Sequence, residues 1–201
     1  GNPPSNGIKT EYLWKEILTK ESITNIIQNY VQLIEEESEK ILPDGKIKKD
    51  KVKKMIFPRY HQLDAVRNLL ANAKENGAGK RYLIQHSAGS GKSLSIAWLA
   101  HQLHGLFDTS GKNHLFDSVL VITDRIVLDK QLRELIQQFA PKRGIVEAIT
   151  GEGGSKTHQL KEALANRKKV IMCTIQTFPN LLEEMQEMPA MNFGIIIDEA
   201  H

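Results

Sequence analysis

The sequence has one cysteine and no long apolar run, and each scarcity excludes a class of protein. The single cysteine, Cys173, excludes an internal disulfide and fits a reducing compartment, so we expect a cytoplasmic protein. No stretch reaches the roughly 18 apolar residues that a membrane span needs, so we expect no membrane partner. Residues 1–7 contain neither a basic region nor an apolar core, which excludes a signal peptide and favours a linker.

A strong charge of one sign is also missing. The chain has 27 Lys and Arg against 24 Asp and Glu, and its formal net charge of +3 permits a nucleic-acid partner without arguing for one. Its 201 residues suffice for one domain with a substantial core and an extension.

The N-terminal region differs in pattern from the rest of the chain. From Tyr12 to Lys40, apolar residues recur at the spacing of one helix face, which predicts a helical segment ended by a turn at Pro43-Asp44-Gly45. The lysine-rich stretch 46–54 could grip phosphates, although such runs are more commonly solvated linkers. We therefore predict an N-terminal helical extension over residues 1–56 and a separate domain over residues 57–201.

Beyond residue 57, short apolar runs alternate with helical stretches. The predicted strands are Tyr82–Gln85, Val119–Thr123, Ile145–Ile149, Val170–Thr174 and Gly194–Ile197. The predicted helices are Ser93–Leu103, Val127–Phe139, Thr157–Asn166 and Asn180–Glu187. This alternation, with nearly continuous Val and Ile in the strands, is typical of a parallel sheet flanked by helices. The predicted fold class is α/β.

A glycine-rich loop stands between the first of these strands and the helix after it. In His86-Ser87-Ala88-Gly89-Ser90-Gly91-Lys92-Ser93, the two glycines let the backbone N–H groups approach phosphate oxygens, which makes residues 88–91 candidates for nucleotide contacts. Lys92 would reach the β- and γ-phosphates, and the Ser93 hydroxyl would join a Mg²⁺ shell. His86 departs from the usual pattern, which has a first glycine there. A glycine turn followed by a chance Lys-Ser is the alternative.

Two acids follow the last apolar strand. Such a strand delivers Asp198 at its carboxyl end, where ligands bind in doubly wound sheets, and Asp198 would help to hold Mg²⁺. Glu199 would orient or deprotonate the water that attacks the γ-phosphate of ATP. The alternative is a helix N-terminus, where acids are common because of the helix dipole. Phosphate loop and acid pair together favour an ATPase with Lys92, Asp198 and Glu199 as catalytic residues.

In order and type, these motifs resemble the first RecA-like lobe of superfamily 2 helicases and translocases, a P-loop NTPase fold ending in an Asp-Glu-Ala-His box. The stretch Phe57-Pro58-Arg59-Tyr60-His61-Gln62 is similar to the adenine-recognition motif of that superfamily. The resemblance implies that the Gln62 amide reads the adenine edge and that Arg59 contacts the nucleotide. It also implies that His201 senses the γ-phosphate and couples the lobe to a second one. The structural alternative for residues 57–62 is the start of a helix with a chance glutamine.

Two further stretches resemble the superfamily motifs that line a nucleic-acid track. They are Val121–Gln131 and Ile171–Phe178, and the resemblance places five of their residues near nucleic acid: Thr123, Arg125, Thr174, Gln176 and Thr177. Hydroxyl and amide groups at such positions hold phosphates without reading sequence. Each could instead end a strand or cap a helix, as Thr often does.

Within the superfamily, the chain is most similar to the motor subunit of type I restriction enzymes. Thr123-Asp124-Arg125, Thr174-Ile175-Gln176-Thr177-Phe178 and the pre-motor segment Gly7–Trp14 are the stretches on which this resemblance rests. It implies ATP-driven translocation on double-stranded DNA, in a complex with methylation and specificity subunits. Residues 1–201 contain no nuclease constellation of spaced acids and a lysine, so we expect the nuclease and the second motor lobe outside them.

Two other functions remain open. A stand-alone helicase acting on DNA or RNA would use the same motifs. A nucleotide-binding switch without motor activity is less well supported, because the Asn-Lys-x-Asp element of guanine-specific switches is missing and Glu199 favours hydrolysis.

Overall fold

The computed structural model describes residues 8–41, 47–124, 126–140, 144–151, 155–177, 179 and 191–199. The chain divides into two compact units, Gly1–Leu63 and Asp64–His201, and each is described by itself. Among the described residues, no helix is both long and apolar enough to cross a membrane.

A parallel sheet forms the centre of the second unit. Its described strands are β3 (Ser118–Thr123), β4 (Val146–Ala148), β5 (Val170–Thr174) and β6 (Phe193–Ile197). Their order in the sheet is β4-β5-β3-β6, and every pairing is parallel. Every residue of β3 and β5 is buried, which requires cover on both faces. The predicted α/β fold class, a parallel sheet flanked by helices as in a RecA-like lobe, is confirmed.

Helices cover the two faces of this sheet. Helix α5 (Lys156–Ala165) packs Leu160 and Leu164 against Leu120 and Ile171 of the central strands. Helix α3 (Lys92–His104) lies on the opposite face, where its Leu103 side chain is 3.6 Å from the position that a Cβ on Gly194 would take. Helix α4 (Ile126–Phe139) packs against α3, with the rings of Trp98 and Phe139 5.9 Å apart. Helix α2 (Tyr60–Asn76) precedes these elements in the chain.

The first unit contains a β-hairpin where the sequence predicts helix and linker. A π-helical turn, Leu13–Ile17, and helix α1 (Lys20–Asn29) agree with the helical prediction. From residue 32 onward the prediction is wrong, because β1 (Gln32–Ile41) pairs antiparallel with β2 (Ile47–Ile56). The predicted turn between them lies outside the described residues.

The physical reason for the hairpin is visible in its register. Glutamates of β1 face lysines of β2, as in the register pair Glu35↔Lys53 and the ion pair between Glu36 and Lys54 at 3.5 Å. Opposite charges directly across two strands stabilise antiparallel pairing, whereas a helix would place these glutamates side by side. At the base of the hairpin, Ile34 and Ile56 are buried. The lysine run is therefore a paired strand of this hairpin and not a linker.

One predicted strand of the second unit is also absent from the described structure. Residues Tyr82–Gln85 form no ladder with any described strand, and the Leu83 side chain is 83% exposed. An apolar run becomes a strand only when a neighbour takes up its backbone hydrogen bonds, so composition alone led to a wrong prediction here. The other predicted strands are confirmed to within one residue at each end, as are the three predicted helices that lie in described parts. The helix predicted over residues 180–187 lies outside the described residues.

A histidine on α3 makes the stability of this fold depend on pH. Burial, together with the charges of the nearby Lys169, His114 and His101, lowers the pKa of His104 from its ordinary value of 6.5 to about 4. The imidazole rings of His104 and His114 stack with centroids 5.7 Å apart. Protonation of His104 therefore opposes folding.

We predict that the free energy of unfolding falls as the pH decreases from 6.5 towards 4 and is insensitive to His104 above 6.5. Between these pH values His104 is protonated in the unfolded chain but neutral in the folded one, so protonation stabilises the unfolded chain. His104→Gln should flatten the fall, as measured by urea unfolding at several pH values. His158→Gln, which alters an exposed histidine on α5, is the control. Equal pH slopes for wild type and His104→Gln would contradict this account.

Candidate functional site

The glycine-rich loop is an exposed turn that leads directly into α3. Gly89 and Gly91 have φ angles of 71° and 86°, in the left-handed region that glycine adopts without strain, and Gly91 occupies the N-cap position of α3. No heavy atom lies within 4 Å of a Cβ built on Gly89, so the backbone angle, not crowding, requires glycine there. The first N–H groups of a helix have no partner within it and attract anions.

The acid pair lies at the carboxyl end of β6, beside the end of β3. The Asp198 N–H donates to the Ile122 carbonyl at 2.9 Å, so the parallel pairing of β3 and β6 continues to Asp198. Glu199 has a φ of 59°, a left-handed conformation that is uncommon for a residue with a side chain. This conformation turns the chain at the point where the strand ends.

An ion pair joins the loop to the acids. The Lys92 Nζ donates to Glu199 Oε1 at 2.8 Å, and both side chains are 38% exposed. The two residues are 107 positions apart in the chain. The structure thus brings together Lys92 and Glu199, which the sequence predicts to share one site.

Electrostatics at this site favour a cationic Lys92. The hydrogen bond that Lys92 donates to Glu199 raises the pKa of Lys92, and the charges of Glu199 and Asp198 add to this, while burial opposes it. Burial and repulsion from Glu199 raise the pKa of Asp198, against the attraction of Lys92. A further cation would relieve the repulsion between the two carboxylates.

The oxygen donors present fit Mg²⁺ only together with a phosphate ligand. The predicted donors are the Ser93 hydroxyl, exposed on the first turn of α3, and the half-buried Asp198 carboxylate. In the described parts of the chain, no group of three or more His, Cys, Asp and Glu residues could hold a metal ion by itself. Mg²⁺ is commonly held by one or two carboxylates plus substrate phosphates, and Asp198 and Ser93 are oxygen donors that would suit it beside a bound nucleotide.

The two residues predicted to read adenine, Arg59 and Gln62, lie near the end of the first unit. Gln62 is 1% exposed, and its Oε1 accepts a hydrogen bond from the Arg59 N–H at 2.8 Å. Since Arg59 directly precedes α2, this contact is the glutamine half of a capping box. The Arg59 side chain is exposed. Gln62 therefore has a structural role, whatever it contributes to nucleotide binding.

The residues predicted to line a nucleic-acid track divide into buried and exposed groups. Thr123, Thr174 and Thr177 are at most 4% exposed, and the hydroxyls of Thr174 and Thr177 are hydrogen bonded at 3.1 Å. Their side chains are not accessible to a polymer in this conformation. Gln176 is exposed on the 3₁₀ turn after β5. Arg125 and the predicted coupling residue His201 lie outside the described residues.

One contact near the loop has no signal in the sequence. The Tyr82 hydroxyl donates to Asn72 Oδ1 of α2 at 2.8 Å, which ties the segment before the phosphate loop to that helix. Tyr82 reads as part of an apolar run, and a tyrosine in such a run predicts strand packing rather than a hydrogen bond to a helix.

The sheet and its helices define a RecA-like α/β lobe, with a glycine-rich loop before α3 and two acids at the end of β6. The chain belongs to the SWI2/SNF2 ATPase family, since a sequence model of that family matches residues 61–201. The predicted relationship to helicase-type ATPases is thereby confirmed.

One curated relative agrees with the resemblance to type I restriction enzymes, and one solved structure agrees with the fold. The chain is 32% identical over 152 residues to the type I restriction enzyme HindI endonuclease subunit of Haemophilus influenzae (strain ATCC 51907 / DSM 11121 / KW20 / Rd). That match covers 71% of this chain but only 14% of the relative. A solved structure of a nuclease-deletion mutant of the type ISP restriction-modification enzyme LlaGI, in complex with a DNA substrate mimic, superposes with a TM-score of 0.53. It is 22% identical, covers 73% of this chain and 15% of its own, and therefore speaks for the fold.

We predict that Gln62→Ala lowers the free energy of unfolding by about 1 kcal/mol, because it removes the capping hydrogen bond of α2. If Gln62 also reads adenine, the ratio of kcat/KM for ATP over GTP should fall. Denaturant unfolding and nucleotide kinetics measure the two effects separately. Asn68→Ala, which removes an exposed amide on the same helix, is the matched control. Loss of stability with an unchanged nucleotide preference would leave Gln62 with the capping role alone.

Proposed function

We propose that this chain is the ATP-binding first lobe of a DNA translocase motor, coupling ATP hydrolysis to movement along double-stranded DNA in a type I restriction-modification complex. The single observation on which the proposal rests is the contact between Lys92 of the phosphate loop and Glu199 at the strand end. An isolated glycine turn or a chance acid pair would not be expected to form it. The similarity to the HindI subunit supports the restriction context.

The residues at the sheet edge have distinct roles in this proposal. The backbone N–H groups of residues 88–91 and the N-terminus of α3 bind the phosphates, and Lys92 neutralises charge on the β- and γ-phosphates. When bound, Mg²⁺ supplies charge neutralisation on the transferred phosphoryl group, with Ser93 and Asp198 holding it. Glu199 leaves its ion pair as the phosphates engage Lys92, and its carboxylate then accepts a proton from the attacking water.

The wider assignments follow from the relatives and remain part of the proposal. The chain spans about a seventh of the HindI subunit that it matches. We propose double-stranded DNA as the polymer partner, methylation and specificity subunits as the protein partners, and the cytoplasm as the location. We place Gln176, and Arg125 by resemblance, on the DNA track. The other predicted track residues, Thr123, Thr174 and Thr177, would contribute there through their backbone, since their side chains are buried.

We predict that Glu199→Gln keeps ATP binding and lowers kcat by about 10²- to 10⁴-fold, because the amide cannot accept the proton. Lys92→Ala should abolish detectable ATP binding, whereas Lys80→Ala, an exposed lysine outside the loop, should change neither. Filter binding of labelled ATP and steady-state hydrolysis in the complete protein separate the two effects. Normal turnover by Glu199→Gln would show that another group is the base.

We predict that ATP hydrolysis by the complete protein, assembled with its copurifying subunits, is stimulated by linear double-stranded DNA that carries a particular site. Single-stranded DNA and RNA should stimulate it little. The measurement is ATPase rate against polymer, with Lys92→Ala as the background. Stimulation by single strands or RNA without partner subunits would instead indicate a stand-alone helicase.

A further inference from the structure

Three hydroxyl side chains lie together at the carboxyl edge of the sheet, and one of them has no hydrogen-bond partner in the part of the chain that the structure describes. Thr174 ends β5, and its Oγ1 is hydrogen bonded to Thr177 Oγ1 at 3.1 Å. Thr123 ends β3 and is the register partner of Thr174. Thr123 is 2% exposed, and its Oγ1 has no hydrogen-bond partner among the residues that the structure describes. A buried hydroxyl without a partner costs stability, so a state of the protein in which it gains a partner is favoured by comparison.

The other neighbour of Thr123 is Asp198. The hydrogen bond from the Asp198 N–H to the Ile122 carbonyl is the one that flanks a Thr123/Asp198 pair in a parallel ladder. The two backbones are therefore about 4.8 Å apart. Thr123 shares a sheet face with Val121, whose register partner on β6 is Ile196, two residues before Asp198. Because side chains alternate along a strand, Thr123 and Asp198 belong to the same face.

This face is also the one that α3 covers. Val119 lies two residues before Val121 and 3.6 Å from the Cβ position of Gly194, which the Leu103 side chain of α3 also approaches. The loop before α3 and the row formed by Thr174, Thr123 and Asp198 thus belong to one side of the sheet. Lys92, at the start of α3, pairs with Glu199 rather than with Asp198. The hydroxyl of Thr123 adds a short, neutral hydrogen-bond donor next to Asp198.

We propose that Thr123 is a positioning residue for Asp198, whose carboxylate accepts a hydrogen bond from the Thr123 hydroxyl when it engages the cation of a nucleotide complex. This inference rests on the proposed function, since it requires Asp198 to hold Mg²⁺. A hydrogen bond to one carboxylate oxygen fixes the rotamer and leaves the other oxygen for the metal side. The row then extends from the turn at Thr177 to the acid, so the position of that turn bears on cation binding.

Replacing Thr123 with valine separates this role from a structural one. Thr123→Val keeps the shape of the side chain and removes a buried, unpartnered hydroxyl, so it should leave the melting temperature unchanged or raise it. Thr123→Ser keeps the hydroxyl and is the rescue variant. Ser118→Ala is the matched control. Ser118 is buried at the other end of β3, and its Oγ donates to the Lys168 carbonyl at 2.7 Å. Loss of the Ser118 hydroxyl should lower the melting temperature without affecting Asp198 or Glu199.

The test measures Mn²⁺ binding to the complete protein by electron paramagnetic resonance, with a non-hydrolysable ATP analogue present. Thermal unfolding, the Mg²⁺ dependence of hydrolysis and the stimulation of hydrolysis by double-stranded DNA are measured alongside. We expect Thr123→Val to raise the Mn²⁺ dissociation constant about tenfold, and to raise the Mg²⁺ concentration for half-maximal hydrolysis in parallel. Thr123→Ser and Ser118→Ala should bind Mn²⁺ within about twofold of wild type, a shift too small to reflect a lost outer-shell partner.

Three outcomes would overturn the proposal, and they differ in what else they affect. Unchanged Mn²⁺ affinity in Thr123→Val, with normal wild-type binding, would remove the positioning role and leave the proposed function intact. Unchanged Mn²⁺ affinity with weakened stimulation by DNA would assign Thr123 to the polymer track instead. A wild-type protein that binds no Mn²⁺ with the analogue would overturn the proposed function, and this inference with it.

Discussion

The parallel pairing of β3 with β6 is the constraint on which the site depends. It places Asp198 beside the end of β3, and the left-handed turn at Glu199 follows immediately. Because the phosphate loop enters α3 at the same edge of the sheet, Lys92 reaches Glu199 at 2.8 Å. A shift of one residue in this register would carry Asp198 to the other face of the sheet, away from α3. The site therefore depends on the packing of the strand core before it depends on any charged residue.

The charges of Lys92, Asp198 and Glu199 at this edge of the sheet both attract and repel one another. Burial, and then repulsion from Glu199, raise the pKa of Asp198, while Lys92 attracts both acids. A cation bound with phosphates would relieve the repulsion, and phosphates would compete with Glu199 for Lys92. In the proposed function, ligand binding would therefore release Glu199 from its ion pair with Lys92. Ion pairs that are 38% exposed contribute little to stability, so this one is better understood as part of a site than as a structural support.

The two units show how far hydrophobic pattern alone can predict structure. In the second unit, β3 and β5 are buried on both faces, and their unbroken apolar runs predict them to within one residue. In the first unit, apolar residues at helical spacing continue past the end of α1 and mislead, because the pairing of Glu35 with Lys53 and of its neighbours depends on a strand that follows later in the chain. The strand predicted at Tyr82–Gln85 is wrong because none of the described strands pairs with this segment.

The sequence by itself determined the α/β class, the phosphate loop and the acid pair, because each depends on residue types at short spacing and on local backbone preference. It also determined the resemblance to restriction motors, which the family match and the HindI relative support. Only the tertiary structure decided that Lys92 meets Glu199, that Gln62 caps α2, and that Thr123, Thr174 and Thr177 are buried. These facts depend on which strands become neighbours and which faces the helices cover. Contacts between residues so distant in the chain are fixed by packing, and local sequence does not specify them.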